Sequence, residues 1–274
     1  MKKLLLLGLL ALSFTAGAQQ HFCVNPFNGD KAKPNDPPAL EVFVPAKPAG
    51  PAVIVLPGGS YSHRAYTHEG IDWAGYFNEK GICAAVLGYT LPAGQHEVPA
   101  NDVYASIKYL RDNASRLGID PEQIGVMGFS AGGHLASTVA THYKTPEERP
   151  AFQILMYPVI SMDPAVTHKE SRENLIGKNP SYDLERLYSN EYQVKSGDCP
   201  AYIALSEDDG AVPVANSLRY YQALTNQKVP AQIHIYPSGG HGYGFRDTFK
   251  YHNELLSTLS AWLDGTLTYK APAI

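Results

Sequence analysis

Cysteine is nearly absent. Only Cys23, Cys83 and Cys199 occur in 274 residues, so no disulfide framework is available and at least one thiol is unpaired. Cys83 lies inside an apolar run and reads as a small core residue. No Cys/His spacing matches a metal site, and neither a metal nor a cofactor is expected. An excess of charge of one sign is missing too: the formal net charge of −4 leaves no basic footprint, which argues against a nucleic-acid partner. There is no internal repeat and no low-complexity tract. The longest early apolar stretch, residues 4–14, is too short to cross a bilayer. It follows Met1-Lys2-Lys3 and precedes Thr15-Ala16-Gly17-Ala18, the basic, apolar, small-residue order of an export signal cut after Ala18. Cys23 lies beyond the cleavage point, so a lipid anchor is not expected. The mature chain, residues 19–274, is expected to be periplasmic or extracellular, without membrane attachment, and long enough for one large domain.

What is present is a regular alternation of strand and helix patterns. Residues 52–56, 82–87, 124–129, 152–157, 202–205 and 232–236 are apolar-rich runs of the kind buried on both faces of a parallel sheet. Residues 40–44 alternate and predict an early antiparallel strand. Residues 19–40 are polar with several prolines and read as an arm or loop. Helical spacing appears over 68–80, 103–117, 214–224 and 249–263. Between about 160 and 200 the rhythm breaks, and that stretch reads as an inserted cap with short helices. The pattern predicts an α/β fold: a mostly parallel central sheet with helices on both faces.

The chain is organised around Gly128-Phe129-Ser130-Ala131-Gly132-Gly133. This is G-x-S-x-G between a strand and a helix, the setting of a nucleophile elbow. The turn holds the serine in a strained conformation and presents its hydroxyl at a helix N-terminus, where negative charge is favoured. A serine needs a base, and the base needs an orienting acid. In an α/β-hydrolase they follow in the order Ser, Asp or Glu, His. After strand 202–205 come Glu207, Asp208 and Asp209, three carboxylates competing for the role. Asp209 fits the D-x-x-V-P spacing to Pro213; Glu207 and Asp208 are expected to face solvent or cap the turn. After strand 232–236 comes Gly239-Gly240-His241-Gly242, a histidine on a glycine-rich loop. His134, one helical turn past Ser130, is its rival, but a packing or hydrogen-bonding role suits that position better. Oxyanion donors are expected from the N–H groups of Gly59 and Ser60, in the turn after strand 52–56, and of Ala131.

The segments Pro57-Gly58-Gly59-Ser60-Tyr61, His68-Glu69-Gly70, Tyr89-Thr90-Leu91-Pro92, residues 126–137, residues 209–217 and Gly239-Gly240-His241-Gly242-Tyr243-Gly244 together resemble the exported α/β-hydrolase carbohydrate esterases, the acetyl xylan esterase and bifunctional acetyl/feruloyl esterase group. The likeness spans almost all of the mature chain. Ser60 stands where that loop often has a third glycine, and Thr90 where a basic residue often precedes Leu-Pro. The resemblance implies an acetylated oligo- or polysaccharide substrate such as xylan, with feruloyl esters as a further acyl class. The competing readings are another exported short-chain esterase or peptidase-like hydrolase, and a hydrolase-fold binding protein without catalysis.

Overall fold

The continuous apolar runs become strands because a parallel strand covered on both faces has no solvent side to place polar residues on. The computed structural model describes residues 19–267, and the export signal expected over 1–18 lies outside them. The strands are β1 (Gln20–Val24), β2 (Ala39–Val44), β3 (Gly50–Leu56), β4 (Cys83–Gly88), β5 (Ile119–Phe129), β6 (Gln153–Met156), β7 (Ala201–Ser206) and β8 (Ala231–Tyr236). They form one eight-stranded sheet in the order β1-β2-β4-β3-β5-β6-β7-β8. β1 and β2 run antiparallel to their neighbours, and every pair from β4 to β8 is parallel. This is the α/β-hydrolase fold.

The helices are α1 (Trp73–Glu79), α2 (Val98–Asp112), α3 (Ala114–Leu117), α4 (Ala131–His142), α5 (Lys169–Ile176), α6 (Tyr182–Leu187), α7 (Ala215–Asn226) and α8 (His252–Leu267). α1 and α8 lie together, joined by Tyr76 Oη donating to the Leu256 carbonyl at 3.0 Å and Lys80 Nζ to Ser260 Oγ at 2.7 Å. α2 and α4 pack against each other elsewhere on the sheet. Between them the inner strands lose all contact with water: residues 52–56 of β3 and 83–87 of β4 are wholly buried, with Trp73, Phe77 and Phe129 filling the layer beside them. Among the described residues no helix is long and apolar enough to cross a membrane.

Three elements differ from the sequence expectation: the helix expected over 103–117 is two, α2 and α3, interrupted at Asn113. Residues 20–24, expected in an arm, are strand β1, in register Gln20 to Val44 and Val24 to Leu40. Its pairing partner is remote in sequence, and the local composition carries no trace of it. Residues 68–80 are not one helix. A wide turn of π-helix covers Thr67–Ile71, with Ile71 N–H donating to the Tyr66 carbonyl and Asp72 N–H to that of Thr67, before α1 begins at Trp73. The extra residue in that turn leaves Glu69 and Gly70 buried.

Strand register fixes where the chemistry-bearing loops meet. Leu56 of β3 pairs with Gly128 of β5, so the Gly58–Gly59–Ser60 turn and Ser130 leave the sheet side by side. Ser206 of β7 pairs with Tyr236 of β8, so the loops of Asp209 and His241 also leave together. All four emerge at the carboxyl ends of parallel strands, the edge at which open α/β sheets bind ligands.

Candidate active site

Ser130 sits on the tight turn between β5 and α4. Its backbone is at φ 51° and ψ −117°, outside the regions open to most L-residues. Its N–H donates to the Met156 carbonyl at 3.0 Å, and its own carbonyl accepts from Val159 at 3.0 Å and His134 at 3.1 Å. These bonds hold the strained residue in place from β6 and from α4 together.

The structure brings Ser130, Asp209 and His241 into one hydrogen-bonded series. Asp209 Oδ2 lies 2.7 Å from His241 Nδ1, and His241 Nε2 lies 2.8 Å from Ser130 Oγ. A carboxylate oxygen can only accept, so Nδ1 carries the proton and Nε2 is free to accept from the serine hydroxyl. The Asp209 side chain has 0% exposure, while that of His241 retains 22%. Asp209 is itself fixed: its other oxygen accepts the N–H groups of Ala211 and Val212, each at 2.9 Å. Glu207 is exposed, as expected from the sequence. Asp208 does more than face solvent: Oδ1 accepts the Gly240 N–H at 2.8 Å and ties the His241 loop to the end of β7. That bond pulls its carboxyl below the usual carboxylate range.

The candidate oxyanion donors lie on the turn after β3 and at the start of α4, the two segments next to Ser130. Ala131 is the first residue of α4, and no described residue accepts a hydrogen bond from its N–H or from those of Gly59 and Ser60. The Gly58 N–H, by contrast, is already used, donating to Glu69 Oε2 at 2.9 Å. The turn runs against Ser130: a Cβ added at Gly58 would lie 3.0 Å from Ser130 Cβ and 2.8 Å from the Phe129 carbonyl. Gly59, Ser60 and Tyr61 all have positive φ, at 128°, 57° and 59°. Ser60 therefore stands in a left-handed region that favours glycine, at some cost in strain. From the 160–200 segment, Asn174 Nδ2 donates to the Ser60 carbonyl at 2.8 Å. His168 of the same segment is half-buried, and burial followed by the charge of His241 pushes its imidazole pKa down.

His134 lies apart from this series. It is 0% exposed, with Nδ1 accepting from Tyr61 Oη at 2.9 Å and Nε2–H donating to the Tyr188 carbonyl at 2.8 Å. Burial pushes its pKa from 6.5 down to about 4, against the opposing pull of the Tyr188 carbonyl. The unfolded chain takes up a proton here below pH 6.5, whereas the folded protein does so only near pH 4. Stability is therefore fully present above the upper value and declines as pH falls toward the lower one, by about 3 kcal/mol in all. Urea denaturation between pH 7.5 and 4.5 is expected to show this slope, and His134→Gln is expected to remove that component of it.

Among the described residues no group of three or more His, Cys, Asp or Glu side chains is arranged to hold a metal ion. Cys23, Cys83 and Cys199 are all free thiols. Burial raises the thiol pKa of each, to about 11 for Cys23 and about 12 for Cys83 and Cys199.

An acceptor-paired imidazole against a strained serine, at the strand ends of this sheet, defines the α/β-hydrolase class. Within it the chain matches the BD-FAE family over residues 40–224 and belongs to that family. It is 41% identical to the acetylxylan esterase of Xylanibacter ruminicola over all of its own length and 57% of that protein's. It is 36% identical to endo-1,4-β-xylanase B of Butyrivibrio fibrisolvens, over 69% of this chain and 32% of that one. The chain thus spans about half or less of the length of these relatives. The solved structure of an acetyl ester-xyloside bifunctional hydrolase from Caldicellulosiruptor lactoaceticus superposes with a TM-score of 0.80 at 33% identity, covering 95% of this chain and 100% of that one.

Proposed function

We propose that the chain is a serine carboxylic ester hydrolase that removes acetyl groups from xylan or xylo-oligosaccharides. Ser130 Oγ attacks the acetyl carbonyl as His241 Nε2 takes its proton. Asp209 holds the resulting imidazolium, and the N–H groups of Gly59, Ser60 and Ala131 bind the oxyanion. His241 then returns the proton to the departing sugar oxygen. A water, deprotonated by the same imidazole, attacks the acetyl-serine, and the imidazole returns that proton to Ser130 Oγ as acetate leaves. The segment 160–200 acts as a cap over this site, and the basic and apolar residues 1–18 direct the chain out of the cytoplasm.

The observation that carries the reading is the pair of short contacts joining Asp209, His241 and Ser130 beside unused backbone donors. The acetyl and xylan parts are supported by the names of the acetylxylan esterase and the acetyl ester-xyloside hydrolase to which the chain is similar. The test is acetate release from acetylated xylo-oligosaccharides by the native protein and by Ser130→Ala. Release by the native protein alone supports the reading, and equal release by both rejects Ser130 as nucleophile. Parallel assays with nitrophenyl acetate, feruloyl esters and peptides separate the substrate classes. Turnover of nitrophenyl acetate without turnover of acetylated sugars would reject the carbohydrate part alone.

A further inference from the structure

The chemistry proposed above uses none of the described buried acids Glu41, Glu69, Asp102 and Asp198, and of these Glu69 bonds to the turn beside Ser130. Glu69 is 3% exposed, and the π-helical turn over Thr67–Ile71 carries it beneath the site. Its oxygens meet two donors from different loops. Oε2 accepts the Gly58 N–H at 2.9 Å, at the root of the turn that holds Gly59 and Ser60. Oε1 accepts the Tyr157 hydroxyl at 2.8 Å. That hydroxyl in turn accepts the Gly244 N–H at 2.9 Å, from the far side of the His241 loop. The Tyr157 ring stands edge-on to the His241 imidazole, with centroids 4.8 Å apart. Tyr157 holds this position with a positive φ of 37°, unusual for an aromatic residue.

We propose that Glu69 is a positioning residue that couples the oxyanion turn to the His241 loop through Tyr157. The proposal rests on the reading of Ser130 as nucleophile and assigns Glu69 no contact with substrate. A carboxyl group in this place is costly to bury unless its lone pairs are used, and here both oxygens have partners. The arrangement also calls for a carboxylate rather than an amide. Both groups hydrogen-bonded to Glu69 are donors, so both of its terminal atoms accept; His68 Nε2 stands 4.0 Å from Oε1. In Glu69→Gln one terminal atom becomes an NH2 group facing a donor. Either the Gly58 N–H loses its acceptor, or the Tyr157 hydroxyl turns to accept and its own proton is left unpaired. In each case one loop is released from the other. Catalysis by oxyanion donors depends on where they stand when charge develops, so looseness acts on the chemical step more than on ester binding.

The test uses steady-state kinetics on nitrophenyl acetate, with active sites counted by fluorophosphonate labelling. Glu69→Gln is expected to lower kcat per labelled site roughly 10- to 100-fold, with KM changed by less than about threefold. Tyr157→Phe, which keeps Glu69 but cuts the link, is expected to do the same. The double variant is expected to lose little more than the worse single one, because both break the same connection. A purely structural role would lower the melting temperature and the labelled fraction but leave kcat per labelled site unchanged. That result, in Glu69→Gln or, should it fail to fold, in Tyr157→Phe, overturns the proposal. Ser130→Ala is run beside them. If it is inactive while Glu69→Gln matches the native protein per site, only the coupling is wrong; if it is as active as the native protein, the nucleophile assignment falls and the coupling with it.

Discussion

Replacing Ser130 with glycine is expected to abolish ester hydrolysis and to stabilise the protein in the same step. The loss of activity follows from the proposed chemistry: without Oγ there is no acyl acceptor, and a fall of at least roughly 10⁴-fold in kcat is expected. The gain in stability follows from the backbone. At φ 51° and ψ −117°, Ser130 sits where a side chain costs about 1–3 kcal/mol. Glycine removes that strain but adds freedom to the unfolded chain, worth roughly 0.5–1 kcal/mol in the opposite direction. A net gain of about 1 kcal/mol remains. Ser130→Ala is the control, since it removes the hydroxyl and keeps the Cβ. It is expected to be as inactive as the glycine variant without being more stable than the native protein. Urea denaturation of the three proteins side by side checks this. A glycine variant less stable than the alanine variant would mean that the turn is not strained.

The legible parts of the sequence share one property: each is specified by residues close to one another in the chain. The run over 52–56 reads as a strand from its own composition, and it becomes β3. Gly128, Ser130 and Gly132 announce a strand-to-helix turn from their spacing alone, and the turn is there between β5 and α4. Asp209 and His241 are readable because each follows a strand, so that topology delivers them to the same edge as Ser130. The illegible parts depend on distant partners. β1 is a strand only because β2 lies beside it. Asp208 looks like a solvated acid until the Gly240 N–H arrives from the next loop. Glu69 belongs to a His-Glu-Gly motif that signals resemblance but carries no hint of burial. Its position depends on one extra residue in a helical turn, which shifts hydrogen bonding from four residues back to five. Tyr157 is one of 18 tyrosines, and its composition cannot set it apart from those that only pack.

Gly132→Ala is expected to be among the most damaging single methyl groups at the described glycines. A Cβ at this position would run into the Leu56 carbonyl oxygen and lie 2.6 Å from that of Pro57. Both are main-chain atoms, at the end of β3 and the start of the oxyanion turn, so no side-chain rotation can make room. Relief requires α4 to move off the sheet or the turn to move off Ser130. The first breaks the packing of a helix whose residues 131–141 are all buried, and the second dismantles the proposed oxyanion site. Overpacking against backbone lies at the severe end of single substitutions, so a loss of at least about 4 kcal/mol is expected. For a domain of this size that lowers the melting temperature by roughly 10 °C. Gly75→Ala, inside α1, is the matched control. A Cβ there meets nothing within 4 Å, and the same substitution is expected to stabilise by about 0.5–1 kcal/mol through helix propensity and reduced freedom of the unfolded chain. Thermal melts of the two variants should therefore move in opposite directions. A Gly132→Ala protein melting within about 2 °C of the native one would show that helix and oxyanion turn are not held at backbone contact. The proposed oxyanion site, which needs the turn after Pro57 held against α4, would then lose that support.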